Sequence, residues 1–273
     1  MKVTSLPFTA VLMFGLFLNS AVAGPRIFFD VGQASSLSPL SSREVKSERV
    51  GQASSLSLVS APVQSEVDRP SSGDAAVKYT FENPRFYIPW IQLDLSSEGA
   101  GTVRFKRGES DDTLDRKVKL APSTLSRIAE LIARSGFLTS AEDYQSKRDF
   151  AHLGWMTISV NQGGKQRSAR FNYTMNQDIS ELTEIFRSIS NQAITLFDID
   201  LAIQHQPLDL PRMLDSLENE LHLERFAEPD QLIPTLRDIA QDDTLPLIAR
   251  NHATRLISNI QKGKFKSPVK TAK

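Results

Sequence analysis

The strongest constraint on the fold is a long stretch of chain without aromatic residues. Asp30 to Lys78 contains no Phe, Tyr or Trp, and 13 serines lie between Gln33 and Ser72. Such a stretch cannot bury enough apolar surface to offset the entropy lost on ordering it. It contains the octapeptide VGQASSLS twice, and two serine-rich copies cannot build a solenoid. We therefore predict a disordered linker over residues 24–76 and a globular core that begins near Val77.

The first 23 residues have the three parts of a secretion signal. Lys2 precedes an apolar run from Val11 to Leu18, and Ala21 and Ala23 place small residues where a signal peptidase reads them. We expect cleavage after Ala23 and export to a bacterial periplasm or to the exterior. Because the run is shorter than the roughly 20 apolar residues of a membrane span, we expect no membrane insertion of the mature chain.

The charge balance and the absence of cysteine exclude several classes of function. Lys and Arg number 32, as do Asp and Glu, and the chain without its signal keeps 31 basic and 32 acidic residues. A nearly neutral chain gives no reason to expect a nucleic acid as partner. Since there is no cysteine, the fold must hold without disulfides, and thiol catalysis is excluded.

Hydrophobic periodicity over residues 77–203 predicts an α+β domain with helices on one face of an antiparallel sheet. Gly163-Gly164 is a strong signal for a tight hairpin turn between the last two strands. The predicted strands are Tyr87–Leu95, Thr102–Lys106, Arg116–Leu120, Gly154–Gln162 and Lys165–Tyr173, with strand signals from Val77 onward.

Two amphipathic helices are predicted within this domain. The first begins with Ser123 or Thr124 as a cap and ends at Gly136, because these residue types favour the two ends of a helix. The second begins with a capping box made by Asp178 and Glu181 and runs to the end of the domain with one break. Both helices carry an apolar stripe, which we expect to pack on the sheet.

A small all-α unit is predicted at residues 208–261, followed by a basic tail at 262–273. Every periodic segment after Pro207 is helical, and Asp209, Pro229 and Pro246 stand where helices are expected to begin.

The middle of the chain resembles an uncharacterised family of small exported bacterial α+β domains, known only as a domain of unknown function. The resemblance covers about residues 80–200 and includes a T-V-R-F strand, a helix that ends in S-G-F at Ser135, a T-I-S-V strand and a G-G-K turn. Members of that family usually carry a Cys-containing loop at the first strand, whereas this chain has none. The resemblance implies an exported α+β domain and supplies no site residues.

The last two predicted helices resemble a HEAT-type helical pair over about residues 229–261. The matching features are Pro234 inside the first helix, Asp242 and Asp243 in the turn, and Arg250 on the second helix. The spacing from the turn to the arginine is about one residue longer than the usual pattern, and one pair cannot make a solenoid. An ordinary helical hairpin explains the same residues.

Tyr144, Arg148 and Asp149 are the candidate site residues, because they lie in a loop between a helix and a strand, where binding residues often occur. A loop closed by its own hydrogen bonds is the alternative explanation. Trp90 and Trp155 are interpreted as core residues on apolar strand faces, with an exposed ligand platform as the alternative.

Four acidic residues precede a predicted strand, and four histidines are scattered along the chain. The acidic residues could bind calcium or supply a carboxylate pair, but a polar hairpin turn explains them equally well. The histidines form no metal-ligand pair of the H-E-x-x-H type; Glu218 and His222 share one helix face, which a solvated helix also explains. The four acidic residues are Glu109, Asp111, Asp112 and Asp115, and the four histidines are His152, His205, His222 and His252.

No catalytic motif, phosphate loop or dinucleotide fingerprint occurs, so we expect no cofactor. The sequence therefore favours a non-catalytic exported protein that binds another envelope or extracellular protein. We predict that the helical unit at 208–261 contributes much of the contact surface. A carboxylate-dependent hydrolase and a purely structural envelope protein are the alternatives.

Overall fold

The computed structural model describes residues 76–108, 110–148 and 150–269. The predicted secretion signal, nearly all of the predicted linker, Glu109, Asp149 and the last four residues of the basic tail lie outside the described residues. Within the described residues, no helix has both the length and the apolar character needed to cross a membrane.

Six strands form one antiparallel sheet, which confirms the predicted α+β class. The order across the sheet is β4-β3-β2-β1-β5-β6, so every strand pairs antiparallel with its neighbours. Gly163 and Gly164 both have positive φ, as the tight turn between the last two strands requires. The strands are β1 Val77–Glu82, β2 Trp90–Leu95, β3 Ala100–Lys106, β4 Leu114–Lys119, β5 Trp155–Gln162 and β6 Lys165–Phe171.

One face of the sheet is apolar and covered by two helices, α1 Pro122–Arg134 and α2 Gln177–His205. Tyr79 at the centre of β1 has Leu93 and Ile158 as its cross-strand neighbours, and all three are buried. The ring of Phe186 on α2 lies 5.4 Å from the ring of Tyr79. Alternation of side chains across each strand sends the polar residues to the opposite face.

The start of α1 differs from the prediction, whereas its end agrees. The helix begins at Pro122 with Ala121 as the N-cap residue, and neither Ser123 nor Thr124 caps it. Proline suits the first helical position because its φ is already helical, and Thr124 is buried instead of capping. Gly136 follows the last turn with φ +61, the left-handed conformation that favours glycine.

The start of α2 also corrects the prediction. Asn176 caps this helix by accepting a hydrogen bond from the backbone N–H of Ile179 at 3.1 Å. The predicted capping box is wrong because the carboxylates of Asp178 and Glu181 form ion pairs with arginines of α1. The side chain of Asp178 lies 2.8 Å from that of Arg134, and Glu181 accepts from Arg127 at 2.9 Å, so these ion pairs join the two helices. The helix is continuous to His205, without the expected break.

The C-terminal part is helical, with α3 Leu210–His222, α4 Ile233–Gln241 and α5 Leu247–Gln261. Asp209 makes no side-chain cap to α3, contrary to its expected role. Pro234 lies inside α4, in its first turn, directly after the short 3-10 turn Pro229–Leu232. Asp243 in the following turn forms an ion pair with Arg250 of α5.

The helix α2 belongs to two hydrophobic cores. Residues up to Ile194 pack in the core between helices and sheet, whereas Leu196, Ile199 and Ala202 pack with α3, α4 and α5. One continuous helix therefore fixes the helical unit to the sheet.

A buried histidine joins α3 to α5. His252 Nε2 lies 2.9 Å from Glu218 Oε2, and its Nδ1 lies 3.3 Å from Asp215 Oδ1. The guanidinium of Arg255 also lies 2.8 Å from the carboxylate of Glu218. Burial by itself would raise the pKa of Glu218, but the hydrogen bonds from His252 and Arg255 together lower it below its ordinary value.

We expect this cluster to make the stability of the protein depend on pH in the acidic range. Because the pKa of Glu218 is lowered on folding, its contribution is complete above its ordinary value of 4.5 and is lost as the pH falls through the lowered pKa. Glu218→Gln should therefore lower the melting temperature at pH 7, and the difference from wild type should shrink towards pH 3. Asp238→Asn, at an exposed carboxylate of α4, is the control. A difference for Glu218→Gln that stays constant with pH would contradict the assignment.

Candidate functional site

Exposed apolar side chains collect in loops at one end of the sheet. This is the end at which β1, β3 and β6 finish and β2, β4 and β5 begin. The side chains are Phe86, Tyr87, Leu153, Tyr173 and Met175, and they are between 37% and 76% exposed. We call this set the apolar loop surface. Exposed apolar residues that occur singly are ordinary, but a contiguous group often marks an interaction site.

Contacts between neighbouring loops connect the segments that carry the apolar loop surface. In the loop between β1 and β2, Asn83 donates from Nδ2 to the carbonyl of His152 at 3.1 Å. The ring of Phe150 lies 6.1 Å from the ring of His152 and 4.8 Å from the ring of Tyr173. The three loops therefore adjoin one another at this end of the sheet.

The loop between β1 and β2 is fixed by its own hydrogen bonds. Asn83 donates from its backbone N–H to the carbonyl of Pro89 at 2.8 Å, and its side chain accepts from the N–H of Arg85 at 3.1 Å. Gly154 packs against this loop with φ +84, and a Cβ there would lie 2.7 Å from the carbonyl oxygen of Glu82. Only glycine allows this close approach, so the backbone under the apolar loop surface is held in place.

A cleft of about 680 Å³ is lined by residues 142–148, Phe150 and residues 173–176, and includes Tyr173 and Met175 of the apolar loop surface. Gln145 and Asn172 hold its base together: the amide of Gln145 donates to Asn172 Oδ1 at 2.9 Å and accepts from the Asn172 N–H at 2.9 Å. The N–H of Ser146 donates to the carbonyl of Tyr173 at 2.9 Å. Asn172 is buried, so the Asn-Tyr-Thr triplet offers no accessible glycosylation acceptor in the folded chain.

The structure gives the candidate residues of this loop different positions. Tyr144 lines the cleft but is buried, and its hydroxyl donates to the carbonyl of Ser135 at 3.2 Å. Its ring stacks on Phe137 at 5.6 Å, and the guanidinium of Arg167 lies 4.9 Å from the Tyr144 ring. Arg148 lines the same cleft and is exposed, whereas Asp149 lies outside the described residues. Tyr144 therefore supports the loop, and Arg148 is available to a ligand.

The two tryptophans correct the interpretation that placed them on apolar strand faces. Trp90 and Trp155 are both cross-strand neighbours of Glu82, and they share the polar face of the sheet. The adjacent Met156 takes the apolar side of β5 and is buried. Both tryptophans are half-buried, and the guanidinium of Arg170 lies 4.7 Å from the Trp155 ring. They add two aromatic side chains to the same end of the sheet as the apolar loop surface, but on its polar face.

The acidic residues of the turn between β3 and β4 do not converge. Asp111 and Asp112 are exposed, and Asp115 lies on β4 opposite Arg104 of β3. Among the described residues there is no group of three or more His, Cys, Asp or Glu side chains that could hold a metal ion. Glu109 lies outside the described residues. A polar hairpin turn accounts for the described members of this cluster.

The histidines are likewise separate from one another. His152, His205 and His222 are exposed, whereas His252 is buried against α3. His222 packs against Phe265 at 5.1 Å between ring centres, and Glu218 bonds to His252. Glu218 and His222 share one helix face but therefore do not form a pair of metal ligands.

Carboxyl groups with a shifted pKa lie outside the cleft. Burial raises the pKa of Asp198, although its partner Arg107 lowers it in part. Hydrogen bonds lower the pKa of Glu130 through Arg127 and of Asp242 through Thr244. A local ion pair or turn thus explains each shift, and none of these groups lines the cleft.

Sequence reasoning did not single out most members of the apolar loop surface. Tyr87 was assigned to a predicted strand, although Asn83-Pro84 just before it is a turn signal that could have revealed the loop. No family model matches this chain, and no curated protein matches it. The resemblances to the exported α+β family and to a HEAT-type pair therefore stay predictions, and the function proposed below depends on the geometry of the site.

Proposed function

We propose that this protein is an exported, non-catalytic protein that binds another envelope or extracellular protein through its apolar loop surface. The observation that supports this most is that the adjoining loops at one end of the sheet all carry exposed apolar side chains, namely Phe86, Tyr87, Leu153, Tyr173 and Met175. Aromatic residues and arginine are the side chains that most often dominate the energetics of protein interfaces. The loops are held by their own hydrogen bonds, so little ordering entropy opposes binding.

The helical unit offers less apolar surface than its sequence led us to expect. Its stripes, including Leu236, Ile239, Leu256 and Ile260, are buried in the core that it shares with α2. Its described large apolar residues that are exposed are Leu208, Leu223, Leu247 and Ile248, of which Leu247 and Ile248 are consecutive at the start of α5. We therefore propose that the apolar loop surface makes the principal contact. Leu247 and Ile248 serve as the rival surface in the test below.

The hydrolase alternative requires carboxyl groups with shifted pKa values close together in a cleft. The described carboxyl groups that have such shifts are Glu130, Asp198, Glu218 and Asp242, and all of them lie outside the cleft at the loops. This distribution favours binding over hydrolysis as the function of the loop end.

The proposal is tested by cross-linking in a native envelope extract followed by mass spectrometry. Wild type is compared with the loop variant Tyr87→Ser, Tyr173→Ser, Met175→Ser and with the rival variant Leu247→Ser, Ile248→Ser. All these side chains are exposed, so circular dichroism and melting should show that both variants fold. We expect the loop variant to lose the main cross-linked partner and the rival variant to retain it.

Three outcomes would contradict parts of the proposal. A partner retained by the loop variant and lost by the rival variant would move the contact to the helical unit. Turnover of a glycan or an ester that a single Asp or Glu substitution abolishes would contradict the non-catalytic role. Secreted material that still carries Met1, in place of a form that begins at Gly24, would contradict export by a cleaved signal.

A further inference from the structure

We infer that the apolar loop surface recognises an acidic segment of its partner, with Arg85 and Arg148 binding the carboxylates. This inference rests on the proposed function and names the chemistry of the partner. Most of the described arginines of this chain form ion pairs with carboxylates. The described arginines that pair with a carboxylate are Arg104, Arg107, Arg116, Arg127, Arg134, Arg170, Arg187, Arg212, Arg225, Arg250 and Arg255.

Arg85 and Arg148 differ from these, because their guanidinium groups make no ion pair with any described carboxylate. Both are exposed. Arg167 donates instead to the carbonyl of Phe137 at 2.7 Å, and Arg237 on α4 is exposed and unpaired among the described residues. Arg237 lies in the helical unit, so the unpaired arginines of the sheet domain are those of its loop end.

Each of the two arginines stands beside apolar members of the surface. Arg85 directly precedes Phe86 and Tyr87 in the loop between β1 and β2. Arg148 lines the cleft together with Tyr173 and Met175. An exposed guanidinium next to an exposed ring is the combination that gives an interface both anchoring area and directed hydrogen bonds.

Nearby carboxylates are engaged within the protein. Glu82 pairs with Arg170 at 3.5 Å, and two carboxylates that line the cleft accept hydrogen bonds: Glu142 from Asn176 Nδ2 at 3.5 Å and Asp143 from the backbone N–H of Gln145 at 3.0 Å. A partner carboxylate would therefore meet guanidinium groups that have no competing ion pair. The planar guanidinium can donate two parallel hydrogen bonds to one carboxylate, which gives such a contact its specificity.

These features favour an acidic peptide over the other possible occupants. An extended segment that alternates acidic and apolar side chains would place its carboxylates on Arg85 and Arg148 and its apolar groups on Tyr87, Tyr173 and Met175. A second copy of the chain could supply Glu142 and Asp143 of its own cleft, but a symmetric contact would also bring its Arg85 and Arg148 to the same patch, where like charges repel. An anionic lipid surface satisfies the cations but leaves the cleft between the loops without a matching ligand.

The test uses random peptides displayed on phage, selected on the full-length mature protein, with selected sequences then synthesised for affinity measurement. We expect the selected peptides to contain Asp or Glu beside aromatic or aliphatic residues. Arg85→Glu, Arg148→Glu should weaken these peptides by about tenfold or more, because two favourable charge contacts become repulsive. Arg237→Glu makes the same change at an unpaired arginine far along the chain and should leave the affinity unchanged.

Several results would overturn the inference. Selected peptides without acidic residues would do so, as would equal affinity in the Arg85→Glu, Arg148→Glu variant. Sedimentation with phosphatidylglycerol vesicles, or self-association in the ultracentrifuge, would do so if it depended on Arg85 and Arg148 while no peptide bound. If the native partner is lost in the loop variant but kept in the charge-reversal variant, the proposed function stands and only this inference fails.

Discussion

Leu131→Ala and Ile185→Ala should each lower the free energy of unfolding by about 2–5 kcal/mol, the usual range for truncating a buried aliphatic side chain. Leu131 lies on α1 and Ile185 on α2, and neither has any exposed surface. Both belong to the core between the helices and the sheet, where Phe105 and Leu93 are also fully buried. Removing three methyl or methylene carbons leaves a cavity there that the surrounding side chains fill only in part.

The chain offers a matched control on the same helix. Leu201 of α2 is 44% exposed, so Leu201→Ala should lower the free energy of unfolding by less than about 1 kcal/mol. Urea unfolding followed by circular dichroism measures all three variants. If both buried truncations cost less than about 0.5 kcal/mol, these stripes do not face a core.

The sheet and the helix stripes were predictable because burial imposes a fixed period on the sequence. The alternation of β5 puts Met156, Ile158 and Val160 on one face, and all of them are buried. The paired glycines at 163–164 and the single Gly136 mark turns that other residues adopt only with strain. In each case a local pattern was enough, because the structure outside the segment does not compete with it.

Helix caps were predicted less well because distant residues compete for the same side chains. Asp178 and Glu181 have the spacing of a capping box, but Arg134 and Arg127 reach them from α1. Such partners are far apart in the sequence, so no local pattern identifies them. The cap that forms, made by Asn176, was equally compatible with the sequence.

Individual side chains in the sheet depended on neighbours that the sequence does not reveal. The hydroxyl of Tyr79 is buried, and burial raises the pKa of Tyr79 to about 12, although the nearby Arg187 lowers it in part. Trp155 lies on the polar face, where Arg170 covers its ring. A large apolar residue thus took a polar-face position because a guanidinium from the next strand could shield it.

The apolar loop surface could not be predicted as a unit. Its members come from three separate loops, and only the order of the strands brings those loops to one end of the sheet. The loop that contains Arg148 was singled out because loops between regular elements often bind ligands. Its neighbour Tyr144 was chosen on the same ground, yet its stacking on Phe137 makes it a structural residue.

The junction between the sheet and the helical unit depends on one buried amide, that of Gln192 on α2. Its Nε2 donates to the carbonyl of Glu228 at 3.0 Å, and its Oε1 accepts from the N–H of Glu228 at 2.9 Å. The carboxylate of Glu228 in turn accepts from the N–H of Ala121 at 2.8 Å, just before α1. The side chain of Gln192 therefore bonds both backbone groups of Glu228, whose carbonyl also accepts from the N–H of Gln231 at 3.0 Å.

We expect Gln192→Leu to lower the free energy of unfolding by about 1–3 kcal/mol, although it keeps a similar volume and adds apolar surface. The reason is that the N–H of Glu228 would lose its partner and stay buried and unsatisfied, whereas the carbonyl of Glu228 would still accept from the N–H of Gln231. Gln204→Leu makes the same change at an exposed position of α2 and should leave stability within about 0.5 kcal/mol of wild type. Urea unfolding gives both values, and hydrogen exchange should show faster exchange at the N–H of Glu228 and Ala121 only in Gln192→Leu. Equal stability of the two variants would mean that water replaces the amide and that the junction does not depend on Gln192.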